Sequence, residues 1–143
     1  ARFEGGIVRY DDWRGDSEVT YPIAEFDHTD PLFTARSAVT GLVIYRADTI
    51  EALENLLLFG DLVSGEIFYL NADALPEGGK GALRRVLLRH GDAARTLLEL
   101  VQAKNRAQGR PPSDRTDMRL FEVPDGRVFV LNKHDGTLRA MVP

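Results

Sequence analysis

Residues 39–70, "VTGLVIYRADTIEALENLLLFGDLVSGEIFYL", carry the pattern that decides the fold. The segment at 38–46 is rich in β-branched residues and is bounded by polar turns, which is typical of a β-strand. The apolar segments at 55–61 and 65–71 predict two further buried strands, and the link at 62–65 is short enough for a hairpin. This stretch therefore predicts an antiparallel meander.

The C-terminal part of the chain shows the same arrangement. Strands are predicted at 118–123, 127–132 and 137–142. The turns between them, at 124–126 and 133–136, both contain Asp-Gly, which is the strongest short-range indication of a hairpin. A second meander is therefore expected at the end of the chain.

One helix is predicted between the two strand groups, at 92–109. Asp92 can cap its first turn, and Gly109 with the prolines that follow ends it. Its apolar face, at helical spacing, consists of Leu97, Leu98 and Val101. We expect an insertion that packs on the outside of the sheets.

The remaining segments are weaker in pattern. Residues 1–21 are predicted to be a leading edge segment or a loop, 22–26 a short strand, 74–81 a loop, and 82–89 either a strand or the beginning of a helix. The whole chain is thus expected to be mostly β, with roughly eight short strands and one helix. A sandwich, a barrel and the blades of a propeller all fit this pattern.

Composition excludes several classes of function. The chain has 143 residues, a net charge of -4 and a pI of about 5.4, which argues against a general nucleic-acid binder. It has no cysteine, so disulfides and thiolate metal sites are excluded. No apolar stretch approaches the roughly 18 residues that a membrane helix needs, so no membrane partner is expected.

Histidine spacing gives no support for a metal site. His28, His90 and His134 are far apart in the sequence, without helical or short-loop ligand spacing. Because a metal needs at least three converging ligands, no metal-binding residue is predicted. His28 would act as a general base only if the fold carried it to a substrate, and a structural role is the alternative.

Several of these residues occur in the order of a known family. The chain contains, in sequence, Pro22, His28, Thr40-Gly41, Tyr45-Arg46, Leu53, Phe59-Gly60-Asp61 and Gly65-x-Ile67. Its ending, with Arg115, Asp117 and Arg119 before a glycine turn and then Lys-x-Asp-Gly, continues the pattern. In this the chain resembles the C-terminal portion of the glucose/sorbosone dehydrogenase family, which comprises soluble sugar dehydrogenases dependent on pyrroloquinoline quinone (PQQ) and built as six-bladed β-propellers.

The chain departs from the family pattern at three positions. Leu42, Ala47 and Asn55 stand where the family has glycine. Since glycine permits backbone conformations that other residues rarely adopt, three tight turns of the family are expected to be relaxed or reshaped here.

The resemblance implies a fold and a parent function. Residues 22–143 would be equivalent to the last two or so propeller blades, with the helix at 92–109 as an insertion, because a four-stranded blade takes about 40–50 residues. The parent would oxidise an aldose or sorbosone-type sugar with hydride transfer to PQQ, in the periplasm or outside the cell, with calcium as a further cofactor. The family's catalytic histidine and most calcium ligands lie in earlier blades, so the chain alone is expected to be inactive.

Five residues are candidates for the cofactor site by this resemblance: Arg46, Arg119, Lys133, Arg115 and Thr40. PQQ carries three carboxylates, which guanidinium groups bind well. The alternative for Arg46 is a surface residue paired with Asp48 or Glu51. The alternative for Arg115 and Arg119 is a solvated strand with internal ion pairs, and for Lys133 it is ordinary turn chemistry.

Two other classes of function remain open at this point. The loss of the three family glycines suits a propeller-like binding module without redox chemistry. Open strand edges would also pair readily, so the chain is expected to contact the rest of a propeller or further copies of itself.

Overall fold

The computed structural model of this protein describes residues 17–27, 30–31 and 37–143. His28 and most of the predicted leading segment at 1–21 lie outside the described residues. The described part is mostly β, with three antiparallel sheets and one α-helix.

The first sheet confirms the meander predicted from residues 39–70. Its strands are β1 (Val39–Ile44), β2 (Leu56–Asp61), β3 (Ile67–Asn71) and β4 (Arg84–Val86), hydrogen-bonded in that order. A single 3₁₀ turn, Glu51–Leu53, lies between β1 and β2. The register between β1 and β2 shifts between Thr40 and Leu42, so β1 contains a bulge at Gly41.

A small hairpin and the helix follow the first sheet. The hairpin pairs β5 (Leu88–His90) with β6 (Ala93–Arg95), and α1 covers Leu97–Ala107. The predicted start of the helix at Asp92 is therefore wrong, because residues 93–95 pair with β5. Thr96 is the actual N-cap: its hydroxyl accepts from the Glu99 backbone N–H, and the Glu99 carboxylate accepts from the Thr96 N–H.

The third sheet confirms the predicted C-terminal meander. It contains β7 (Met118–Glu122), β8 (Val128–Asn132) and β9 (Thr137–Ala140) in sequence order. The strand predicted at 22–26 is wrong, because this segment has no strand conformation. Its backbone instead meets the 78–79 loop, where the Gly78 N–H donates to Ile23 and the Glu25 N–H donates to Gly79.

The first and third sheets bury a shared core. The inward side chains of β1, β2 and β3 meet those of β7 and β8, and α1 adds Leu97 and Val101; the fully buried members include Leu58, Ile67, Met118, Val128 and Val130. The other face of the first sheet has a second cluster, formed by Leu57, Phe59, Phe68, Leu70 and Leu83. Because β2 is buried on both faces, its sequence is apolar without alternation.

Strands β1 and β7 run in the same direction across the interface between the sheets. Gly41 of β1 meets Leu120, and beyond the ends of both strands Gly126 meets Ala47. The molecule therefore has two distinct ends. We call the region of Thr40, Met118 and Asn132 the Thr40 end, and the region of Arg46 and Gly126 the Arg46 end.

Candidate functional site

Four polar side chains form a network at the Thr40 end. The Arg115 guanidinium donates from Nε to Asp117 Oδ1 at 2.9 Å and makes a second, shorter contact to the same oxygen. His134 Nε2 lies 3.1 Å from Asp117 Oδ2, and His134 Nδ1 lies 3.4 Å from Ser113 Oγ. Asp117 has a φ of 49°, in the left-handed region, so the chain turns sharply before β7.

Asp117 is held in its ionised form by this network. Desolvation raises the pKa of its carboxyl, but the hydrogen bonds and charges of Arg115 and His134 outweigh that effect, so the pKa lies below its ordinary value of 3.8. Asp117 therefore accepts hydrogen bonds at neutral pH and does not donate a proton.

Contacts run from Ser113 to His134 and from His134 to Asp117, as in a nucleophilic triad. The directions of the hydrogen bonds nevertheless indicate a different role. The Ser113 hydroxyl donates to the Arg115 carbonyl oxygen at 2.6 Å and accepts from the Arg115 N–H. Its proton is therefore not directed at the imidazole, as a serine nucleophile requires. The network orders the segment that leads into β7.

Four of the five predicted cofactor residues lie at the Thr40 end. Thr40 pairs with Gly60, and a Cβ on Gly60 would meet Met118, the neighbour of Arg119. Lys133 follows Asn132, which pairs with Met118. Arg119 is exposed and donates to the Met118 carbonyl oxygen at 2.8 Å. Thr40, Arg115, Arg119 and Lys133 are thus brought to one end of the molecule.

Arg46 lies at the other end and has its own partners. Its guanidinium donates to Asn55 Oδ1 at 2.5 Å and pairs with Asp73 at 2.7 Å, so its partner is neither Asp48 nor Glu51. Both charged side chains are about half exposed, and such a pair contributes little stability. Six residues of extended chain separate Arg46 from Thr40, which corresponds to about 20 Å.

Asn55, one of the three positions where the chain departs from the family pattern, has a φ of 58°, in the left-handed region that glycine adopts most readily. Asparagine tolerates this conformation better than most residues.

Asp61 has a structural role at the end of β2. Its side chain is buried and accepts from the N–H groups of Ala38 and Ser64, each at 2.7 Å, and from the Ser64 hydroxyl. These bonds fix the β2–β3 turn. An aspartate at a strand end with serine three residues later is a sequence indication of such a turn.

A second candidate site is a cleft that the sequence reasoning missed. It has a volume of about 1700 Å³ and lies between α1, the β5–β6 hairpin, β9 and the 3₁₀ turn. Its lining includes the cationic or imidazole side chains of Arg89, His90, Arg95, Lys104 and Arg139. We call this the cationic cleft. No local motif marks it, because its residues come from segments distant in sequence.

Comparison with known proteins adds no relative: no family model, no curated protein and no solved structure matches this chain. Within the described ranges, no helix is long and apolar enough to cross a membrane. In the same part of the chain, no group of three or more His, Asp or Glu side chains is arranged to hold a metal ion.

Proposed function

We propose that this chain is the C-terminal part of a β-propeller related to the PQQ-dependent glucose/sorbosone dehydrogenases. The observation that carries this proposal is the position of three glycines that the resemblance shares. A Cβ on Gly65, Gly60 or Gly41 would lie 2.5, 2.6 or 2.4 Å from an atom of Thr116, Met118 or Leu120, respectively.

These contacts form one row along the segment that leads into β7 and along β7 itself. The glycines let the two sheets approach closely. The packing of neighbouring sheets therefore explains why glycine is needed at these positions of the motif. The first sheet is also a four-stranded meander, which is the form of a propeller blade, and the third sheet is a meander of three strands.

The outer faces of the two sheets give further support. In the third sheet, Leu131 and Leu138 are 43% and 54% exposed, and Phe121 stacks on Phe129 with ring centroids 5.8 Å apart. In the first sheet, Leu42 is 69% exposed on β1, the edge strand among the described residues. In a propeller, such faces are covered by the neighbouring blades.

The cationic side chains at the Thr40 end suit an anionic cofactor. Arg119 and Lys133 are exposed cations close to Thr40, and Arg115 adds a guanidinium that Asp117 partly neutralises. These groups would hold carboxylates of PQQ by charge and hydrogen bonding. Arg46, at the opposite end, would not contact the same molecule. The described residues do not fit a calcium site.

In this proposal PQQ, when bound, would supply the hydride acceptor for oxidation of the sugar. The residues of this chain bind and orient the cofactor and transfer no proton. The family resemblance also implies a periplasmic or extracellular location.

A second candidate function is a non-catalytic module that assembles with copies of itself or with other propeller blades. The exposed apolar faces described above favour it, because monomeric proteins rarely expose contiguous apolar patches. This candidate needs no cofactor and keeps the same sheet packing.

One experiment separates the two candidates. The chain is titrated with PQQ in the presence of Ca²⁺ while quinone absorbance is recorded, and its mass is measured by light scattering. We expect stoichiometric binding that R119Q and K133Q each weaken about tenfold. R46Q serves as the matched control and should bind normally.

The outcomes have distinct meanings. An absence of any absorbance change contradicts the cofactor proposal, and a defined oligomer without that change supports the scaffold. Equal weakening by R46Q and R119Q would contradict the location of the site at the Thr40 end.

A further inference from the structure

The cationic cleft has an aliphatic floor and one charged wall. Its floor includes Leu53, Leu56, Leu88, Leu100, Val130 and Met141. Leu56, Leu88 and Met141 pack against the main core yet remain partly exposed. Tyr69 is the aromatic side chain among the described lining residues, so the floor suits an aliphatic ligand better than a stacked ring.

The charged wall is the β5–β6 hairpin. Among the residues that the structure describes, the side chains of Arg89, His90 and Arg95 make no hydrogen bond or ion pair. The Nε atom of Arg95 is buried without a partner, although leaving a buried donor unpaired is unfavourable. In register, Arg95 pairs with Leu88 and shares its face of the hairpin.

The two cations of the opposite wall already have partners within the chain. Lys104 donates to the Asp135 carbonyl oxygen at 3.0 Å and contacts the Thr137 hydroxyl, and Arg139 forms an ion pair with the buried Asp135 carboxylate. Glu51 is the one carboxylate side chain among the described lining residues. Among the described lining residues, the cationic side chains that have no partner are therefore those of the hairpin.

We propose that the cationic cleft binds a single-chain aliphatic carboxylate, with the hydrocarbon chain on the leucine-rich floor and the carboxylate at the Arg95 guanidinium. Guanidinium groups bind carboxylates through paired hydrogen bonds. The volume exceeds the 300–1000 Å³ that is usual for drug-sized ligands, so a flexible chain of a dozen carbons fits. This site is separate from the Thr40 end and does not depend on the proposed function.

The test uses dodecanoate below its micelle-forming concentration, with binding measured by calorimetry on the whole chain. Dodecyltrimethylammonium is the probe of opposite charge and equal chain length. We expect dodecanoate to bind and the cationic probe to bind at least tenfold more weakly, because the hairpin repels it.

Two variants locate the site. R95Q should weaken dodecanoate binding about tenfold, which is the effect of losing one charge-assisted contact. Arg110 is exposed and does not line the cleft, so R110Q is the matched control and should bind normally. A103W, at an exposed helix position that lines the cleft, should also weaken binding by filling the space. Circular dichroism confirms that each variant is folded.

Three results would overturn the proposal. These are equal binding of both probes, unchanged dodecanoate binding by folded R95Q, and binding to anionic phospholipid vesicles without binding to free dodecanoate. The last result would show that the charged wall contacts a membrane surface instead of a free carboxylate.

Discussion

Replacing Gly41 with alanine tests the packing of the two main sheets. Gly41 has a φ of +63°, and an added Cβ would lie 2.4 Å from the Leu120 carbonyl oxygen and 2.8 Å from its Cβ. The nearest of these atoms belongs to the backbone, so no side-chain rotation relieves the overlap. The sheets themselves would have to separate.

The magnitude follows from two contributions. An alanine in the left-handed region costs about 1–2 kcal/mol, of which about 0.4–1 kcal/mol is offset by the lower entropy of the unfolded chain. Overpacking against a fixed backbone adds about 1–3 kcal/mol. We expect G41A to lower the free energy of unfolding by about 2–4 kcal/mol, a large part of the stability of an ordinary domain.

Gly136 provides the matched control. Its φ is +60°, and a Cβ there would meet no atom within 4 Å, so G136A carries the backbone strain without the overlap. We expect a loss of about 1 kcal/mol. Urea unfolding followed by circular dichroism measures both variants. A difference of less than about 0.5 kcal/mol between them would refute the close approach of β1 to β7.

Two further substitutions test local electrostatics and capping. Burial raises the pKa of the Glu66 carboxyl above 4.5, although the charge of Arg85 opposes this effect. Because the folded-state pKa is higher than the unfolded-state pKa, the contribution of Glu66 to stability is lost as the pH rises through the folded-state pKa. E66Q should therefore be at least as stable as the parent at pH 7 and lose this pH dependence, whereas a less stable E66Q would contradict the assignment. T96A should lose about 1 kcal/mol in urea unfolding because it removes the helix N-cap, while exposed Thr49 gives the neutral control T49A.

Local pattern was sufficient for most of the strands. The hairpins around 124–126 and 133–136 could be predicted because an Asp-Gly turn and alternating flanks are properties of neighbouring residues. The helix start at 92 was wrong for a related reason. Residues 93–95 are compatible with a helix, but they pair with β5, and such pairing overrides propensity.

The segment at 22–26 is a second case in which local sequence did not predict strand pairing, because here a predicted strand does not form. Its composition suits a strand, yet a strand exists only where a neighbouring strand offers its hydrogen-bonding edge. In the structure this segment meets a loop at 78–79 instead. A pattern of five residues contains no information about which edge will be nearby.

The sequence by itself determined most of the strand-forming segments and the turn residues between them. Only the tertiary structure decided that β1 and β7 run in the same direction, which places Arg46 at one end and Arg115, Arg119 and Lys133 at the other. It also brought a charged hairpin over an aliphatic floor. The physical reason is that periodicity fixes which face of an element is buried, whereas the meeting of distant faces depends on how their side chains pack together.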